Sequence, residues 1–315
     1  MSEPRGTVQT VMGPMDAGSL GVTLAHEHVL LDGWEMFRSY DAILDDEALA
    51  IEELRALRDA GARSLVDCTT LGLGRDPLAL RRVSQASGMI IVMGAGWYRR
   101  AVYPSYIREL GADELAAMLV TELTAGVDGT DIRAGFIGEI GTERHRIAAA
   151  EERVFRAAAR AQRATGVAIW THTTNSGDLA LEQVELLASE GVPVERIVVS
   201  HVGDRITFDR LRTLADIGVG LSVDNIGYTG GGYPPDAVRV RNVLRLLEAG
   251  FGGQVLLSGD TCTRSMLRAY GGPGYGRVLD SFVPALRTAG VDAAAIDGML
   301  IANPARFLAV VSSTT

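Results

Sequence analysis

The sequence predicts an α/β fold, a (β/α)₈ TIM-like barrel of parallel strands, and two observations carry that prediction. Eight short apolar runs alternate with amphipathic stretches from one end of the chain to the other. The first run is not followed by the glycine-rich turn that an open dinucleotide-binding sheet places there. An open doubly wound sheet is the competing architecture, and a count of eight favours the closed barrel.

The eight strand candidates are Val22–Val29, Ser64–Thr70, Met89–Ala95, Ala134–Ile140, Ala168–Thr173, Ile197–His201, Gly218–Val223 and Gln254–Gly259. Each is short, apolar and bounded by glycine or rich in β-branched residues. Polar alternation is weak, as expected of parallel strands covered on both faces. Between them, Glu47–Ala60 repeats apolar residues at helical spacing, Ala148–Thr165 is rich in alanine and arginine, and Leu179–Glu190 gathers Leu181, Val184, Leu187 and Ala188 on one face. Asp113 and Asp236 are candidate N-caps, and Gly61, Gly88, Gly166, Gly191, Gly218 and Gly250 stand where helices should end. No low-complexity linker or charge block divides the 315 residues, so one barrel domain spanning 1–315, with extra helices after the last strand, is expected.

Composition narrows the class. Apolar residues make up 47% of the chain and aromatics only 6%, so aliphatic packing must fill the core. No apolar run reaches the roughly 18–20 residues of a membrane span, and residues 1–20 lack the basic and apolar regions of a secretory leader. A formal net charge of −9 without a basic cluster argues against nucleic acid as a partner. The two cysteines, Cys68 and Cys262, lie far apart and suit a reducing cytoplasm rather than a cysteine metal cluster.

The chemistry is concentrated at strand ends. Four of the five histidines sit at the C-terminal ends of strand candidates, and in a barrel those ends open on one face. His26 and His28 flank Glu27 on the first strand; residues two apart point the same way, so both rings face inward while Glu27 points away. His172 ends the fifth strand and His201 the sixth, each where apolar sequence meets a polar loop. A single histidine there is ordinarily a hydrogen-bonded edge residue, but four converging rings suit metal coordination. Asp260 ends the eighth strand, next to the first in a closed barrel. An isolated carboxylate at an apolar strand end must be paired or ligated. Glu139 ends the fourth strand between Gly138 and Gly141, with Glu143 as the alternative acid.

This donor set suits two divalent cations, Zn²⁺ foremost, with Mn²⁺ or Fe²⁺ as alternatives. His26, His28 and Asp260 would hold an inner ion, His172 and His201 an outer one, with Glu139 and a hydroxide as bridges. Such a hydroxide would attack a carbonyl or phosphoryl centre, with Asp260 as the catalytic proton carrier.

The motifs as a set resemble a known family. Val8–Pro14 followed by Leu20–His28, then Gly94–Tyr98, Thr171–Thr173, Ser200–Asp204, Ser258–Cys262, Tyr270–Tyr275 and Asn303–Arg306 are similar, in order, to blocks of the phosphotriesterase family of the amidohydrolase superfamily. The resemblance covers nearly the whole chain. It implies a binuclear site, a barrel and a homodimer acting on a small-molecule substrate. The best-known members bridge their metals with a carboxylated lysine. Here Glu139 takes that place, as in the phosphotriesterase-homology and phosphotriesterase-related proteins, so assembly should need no CO₂. Lactonases carry an arginine after the seventh strand; this chain has Asn225 at about that place. Gly259 and Pro273 replace common histidines, and Arg264 replaces a common lysine.

Loops after strands three, seven and eight should wall the pocket, which makes Trp97, Tyr98, Tyr228 and Arg264 candidate lining residues. The phenol of Tyr98 would assist a leaving oxygen or simply pack, and Arg264 would face the pocket or sit in a surface ion pair. Loop seven, 228–235, is glycine-rich and lacks the ending of a phosphate loop, so it reads as a lid. The Arg99–Arg100 pair could steer an anionic substrate. The reading is therefore a binuclear hydrolase of a carboxylic ester, lactone or amide, with phosphotriester cleavage as a weak side activity. The alternatives are a ligand-binding barrel that has lost turnover and a mononuclear, deaminase-like relative.

Overall fold

A computed structural model describes residues 6–310 apart from Asn175. Eight parallel strands form one sheet in sequence order: β1 (Thr23–Glu27), β2 (Ser64–Asp67), β3 (Ile90–Ala95), β4 (Phe136–Gly141), β5 (Ile169–His172), β6 (Ile197–Val199), β7 (Gly220–Val223) and β8 (Val255–Leu257). Each lies within its expected run or within one residue of it, because the flanking polar residues belong to loops. The sheet curls until β8 meets β1. There the Asp260 N–H donates to the His26 carbonyl at 3.1 Å, and the Ser258 hydroxyl oxygen accepts the His26 N–H at 2.9 Å. The side chains of Leu24, Leu65, Ile91, Ile137, Ile169, Val199, Leu221 and Leu257 pack outward into the main core.

Seven helices follow the first seven strands: α1 (Glu47–Asp59), α2 (Pro77–Ser87), α3 (Ala112–Thr124), α4 (Ala149–Thr165), α5 (Ala180–Ser189), α6 (Phe208–Ile217) and α7 (Asp236–Glu248). Asp46, Asp76 and Thr207 cap α1, α2 and α6 by accepting backbone N–H bonds. Gly88, Gly166 and Gly218 end α2, α4 and α6 in the left-handed conformation. Two expected caps are displaced. Gly111 holds the N-cap position of α3, and Glu114 rather than Asp113 accepts its N–H. Pro235 holds that of α7, and the Asp236 carboxylate accepts from Gly227 in the preceding loop.

A two-stranded hairpin, Thr7–Thr10 with Gly13–Asp16, and the helix Asn303–Leu308 close the N-terminal end of the barrel. Helical turns over 278–308 follow the last strand. Among the described residues no helix is long and apolar enough to cross a membrane.

Two strand pairings are irregular, and both irregularities fall where a candidate ligand sits. β1 shifts register against β2 between Leu24 and Glu27, beside His26. β4 shifts against β5 between Ile137 and Ile140, beside Glu139. A local slip of this kind re-aims a side chain that strict alternation would send elsewhere.

Candidate metal centre

The C-terminal ends of the strands surround a cavity of about 500 Å³. His28, Glu139, His172, His201 and Asp260 line it, and His26 is buried beneath them. The six residues singled out as ligands in the sequence therefore come together from β1, β4 and β5 and from the turns after β1, β6 and β8.

Glu139 lies at the centre. Its Oε2 is 3.4 Å from His26 Nε2, 3.0 Å from His172 Nδ1 and 3.6 Å from His201 Nε2, while Oε1 is 3.6 Å from His28 Nε2. Asp260 Oδ1 lies 3.3 Å from His28 Nε2 and 3.8 Å from His26 Nε2. The backbone comes this close because Gly138 has φ of +139°, and a Cβ there would sit 2.5 Å from the Trp170 carbonyl oxygen. His201 and Asp260 themselves hold left-handed backbone, at φ 63° and 50°. Side-chain residues rarely adopt that region, and it concentrates at functional sites.

The unused ring nitrogens are tied down. His28 Nδ1 faces the Thr69 hydroxyl at 2.9 Å, and His26 Nδ1 faces the Ser200 hydroxyl at 3.1 Å. The Asp224 carboxylate joins two rings, lying 2.9 Å from His201 Nδ1 and 3.3 Å from His26 Nδ1, and it also accepts the His201 backbone N–H at 2.9 Å. These contacts leave Nε2 of His26, His28 and His201 directed at the carboxylates, while His172 presents Nδ1. His172 Nε2 meets the Tyr98 hydroxyl at 3.2 Å.

Glu27 does point away from the cluster, yet it is fully buried. Its carboxylate accepts from the Ser258 hydroxyl and from the N–H groups of Gly259 and Thr261, at 2.7–2.8 Å, on either side of Asp260. Sequence reasoning left both Asp224 and Glu27 without a role. Asp224 carried a usable signal, an acid just past an apolar strand, where a metal-ligating histidine needs a partner for its second nitrogen. Glu27 carried none, because its function depends on closure of the seam.

Burial opposes charge on every ring. At His201 the Asp224 carboxylate overrides burial and lifts the pKa to about 10. At His172 burial prevails over the Glu139 carboxylate and lowers it to about 4. Burial would raise the Glu139 carboxyl, but the imidazoles of His26 and His172 hold it well below the usual range.

The arrangement fits metal ions on two counts. His26 Nε2 is buried with no hydrogen-bond partner among the described residues. His201 Nε2 and His172 Nδ1 face each other at 2.9 Å, with the Glu139 oxygen beside both. Two donor groups are compact enough for a cation, His26 with His28 and Asp260, and His26 with Glu139 and His201.

Of the expected wall residues, Tyr98 and Tyr228 line the cavity. The Tyr98 ring packs edge-on against His172 at 4.6 Å between centroids, and the Tyr228 hydroxyl donates to the Asp260 carbonyl at 2.6 Å. Trp97 corrects the expectation, and Arg264 takes the ion-pair alternative rather than the pocket. Trp97 is buried behind the wall, donating its indole N–H to the Tyr106 hydroxyl at 2.9 Å. Arg264 lies outside the cavity because the Ile43 carbonyl and the Asp45 carboxylate hold it, at 2.6 and 2.8 Å. Asn225 lines the cavity and donates to Asp204, which pairs with the buried Arg239. His145 sits in a loop with φ of 75°.

A parallel barrel with histidines and carboxylates gathered at its C-terminal mouth defines a barrel enzyme with a candidate metal centre. The chain belongs to the phosphotriesterase family, whose family model matches residues 6–308. It is 37% identical over 287 residues to the phosphotriesterase homology protein of Escherichia coli (strain K12), covering 91% of this chain and 97% of the relative. The structure of that protein with phosphate in its active site superposes with a TM-score of 0.88 over 92% of this chain and 99% of the other. The chain is 32% identical over 348 aligned positions to an N-acetyltaurine hydrolase of Tetraodon nigroviridis, covering 98% of this chain and 99% of the relative. A lactonase structure from Listeria monocytogenes gives a TM-score of 0.90 at 29% identity, over 96% of this chain and 98% of the other.

Proposed function

We propose that the protein is a binuclear metal-dependent hydrolase that cleaves a carboxylic amide, ester or lactone, with phosphotriester cleavage no more than a weak side activity. The observation that carries this reading is the Glu139 carboxylate, with Oε1 toward His28 and Oε2 among His26, His172 and His201. One carboxylate facing two sets of nitrogen donors is what a bridge between two ions requires. His26, His28 and Asp260 would hold one ion, and His172 and His201 the other. Two cations there, Zn²⁺ foremost with Mn²⁺ or Fe²⁺ as alternatives, would acidify a water and polarise the scissile carbonyl.

The protein side chains supply the rest. Asp260 keeps its side chain 14% exposed to the cavity, so Oδ1 can take a proton from the attacking water and deliver it to the leaving nitrogen or oxygen. Tyr228 and Glu27 hold the Asp260 segment from opposite sides, through the Asp260 carbonyl and the flanking N–H groups. Asp224 keeps the His26 and His201 rings turned. An amide substrate accords with the named activity of the N-acetyltaurine hydrolases, and a lactone with that of the Listeria relative.

The test is metal content by mass spectrometry on purified wild type and Glu139→Ala, with an amide, ester, lactone and phosphotriester panel alongside. About two metals in wild type are expected, with fewer in the variant. Turnover should fall by about 10³-fold or more, a loss of several kcal/mol of transition-state stabilisation. One metal or none in metal-replete wild type would overturn the binuclear reading and return the mononuclear and binding alternatives.

A further inference from the structure

The hydrolytic chemistry makes no use of the buried guanidinium of Arg277. This residue immediately precedes the helical turns over 278–308, and its side chain runs back beneath the loops after β7 and β8. It is only 2% exposed. Its donors go to three carbonyl oxygens: Nε to Ile226, Nη2 to Gly259, and Nη1 to Gly274 at 3.4 Å. Among the described residues it has no carboxylate partner. Burying a charge without a counter-charge is costly, so a side chain that only filled this space would be better apolar.

The slot is shaped for the guanidinium. A Cβ on Gly227 would lie 2.5 Å from Arg277 Cδ, and one on Gly259 would lie 2.8 Å from Nη2. One glycine belongs to each loop, so the side chain passes only because both loops are bare there. Its Cζ lies 5.8 Å from the centre of the Tyr228 ring, whose hydroxyl donates to the Asp260 carbonyl.

Two of the three carbonyls border the site. Ile226 follows Asn225 in the cavity wall, and Gly259 precedes Asp260. With Arg277 counted, every backbone polar group from the Gly259 N–H to the Thr261 N–H has a partner. Glu27 accepts both of those N–H groups, and Arg277 donates to the Gly259 carbonyl. The Asp260 N–H meets the His26 carbonyl, and the Asp260 carbonyl meets Tyr228. Asp260 holds a φ of 50° within that stretch, a conformation a non-glycine residue keeps only when its surroundings impose it. A guanidinium is a rigid fork, so one side chain can fix carbonyls on two loops at a set spacing; an ammonium is a point charge on a flexible stem.

We infer that Arg277 is the positioning residue for Asp260: its fork ties the Gly259 carbonyl to the Ile226 carbonyl and so holds the Asp260 carboxylate against His26 and His28. This rests on the hydrolase reading for what Asp260 does, and not for where Arg277 sits. Arg277 acts through Asp260 and does not line the cavity, so it governs metal affinity and kcat more than KM.

The experiment uses the full chain with Arg277→Met and Arg277→Lys, each alone and combined with Asp260→Ala. Amide hydrogen exchange over 258–262 is followed in metal-free protein, and Zn²⁺ affinity is measured by chelator competition. Where Asp260 is retained, kcat and KM are measured on δ-valerolactone, p-nitrophenyl acetate and acetanilide. In Arg277→Met, exchange over 258–262 should quicken about tenfold or more while exchange in β2 stays at the wild-type rate. Zn²⁺ affinity and kcat should each fall about tenfold or more, with KM within about threefold. Arg277→Lys should recover part of each loss, and it decides on the same criteria if Arg277→Met does not fold. In the Asp260→Ala background the same substitutions should move Zn²⁺ affinity by less than about twofold, because the group they act through is gone. Equal effects on affinity in the two backgrounds, none included, or unaltered exchange over 258–262 would overturn the positioning role. Exchange and affinity that depend on Arg277 without hydrolysis of any probe would keep that role and count against the hydrolase reading. Hydrolysis indifferent to Arg277 would do the reverse.

Discussion

At the N-terminal end of the barrel, Val8, Leu20, Phe136, Trp170 and Phe307 close the interior with buried side chains. The single polar atom among those side chains, the Trp170 indole nitrogen, donates to the Ala25 carbonyl at 3.1 Å. At the C-terminal end, His26 Nε2 and Asn225 Oδ1 are buried without hydrogen-bond partners among the described residues, and His201 and Asp260 hold left-handed backbone. The same eight strands thus end in close-packed hydrocarbon at one mouth and in constrained polar groups at the other. One end lowers the free energy of the fold. The other spends some of that stability, of order 1–3 kcal/mol for each residue held in a disfavoured backbone region, to keep donors converging on one point.

The comparison breaks most visibly at the apolar end. Phe307 is fully buried, and its ring lies where a Cβ on Gly220, at the start of β7, would come within 2.8 Å of it. Phe307→Ala should cost about 3–5 kcal/mol, read as a lower midpoint in chemical denaturation. Metal content and kcat per folded molecule should stay at wild-type levels. Loss of metal from the folded variant would mean that the two ends are mechanically coupled and that the contrast is wrong.

Asp224 sharpens the contrast at the polar end. Asp224→Asn keeps an acceptor for the His201 backbone but removes the charge that orients two imidazoles. Metal affinity, measured by chelator competition, should fall about 10–100-fold. An unchanged affinity would show that Ser200 and the backbone orient the rings unaided.

The two ends also differed in how much the sequence disclosed. Barrel strands were legible because buried parallel strands are apolar throughout, and the ligand positions because imidazoles and acids are conspicuous where such runs end. His26, His28, Glu139, His172, His201 and Asp260 converge as strand order alone implies. Side-chain direction beyond the strands was not legible. Arg264 was within reach of the pocket by position, yet the Asp45 carboxylate draws it away, and Trp97 turns behind the wall to reach Tyr106. The first outcome depends on a loop 219 residues away in sequence, and the second on how the loop after β3 folds back on itself. Asp113 and Asp236 misled for a related reason: an acid in the first turn of a helix suits the dipole whether or not it is the cap.

The smallest expected effect tests the backbone part of the comparison. Asp260→Ala and Asp260→Gly remove the same carboxylate, so each should lose metal and turnover. They differ in what they do at a φ of 50°. A non-glycine residue in that region costs roughly 1–2 kcal/mol, of which glycine gives back about 0.5–1 kcal/mol through its freer unfolded chain. The glycine variant should therefore be more stable than the alanine variant by about 0.5–1 kcal/mol, in metal-free protein compared by chemical denaturation. An alanine variant more stable than the glycine variant by about 0.5–1 kcal/mol would mean that the Asp260 backbone is unstrained there. The cost of the polar end would then lie in its unsatisfied donors and acceptors alone.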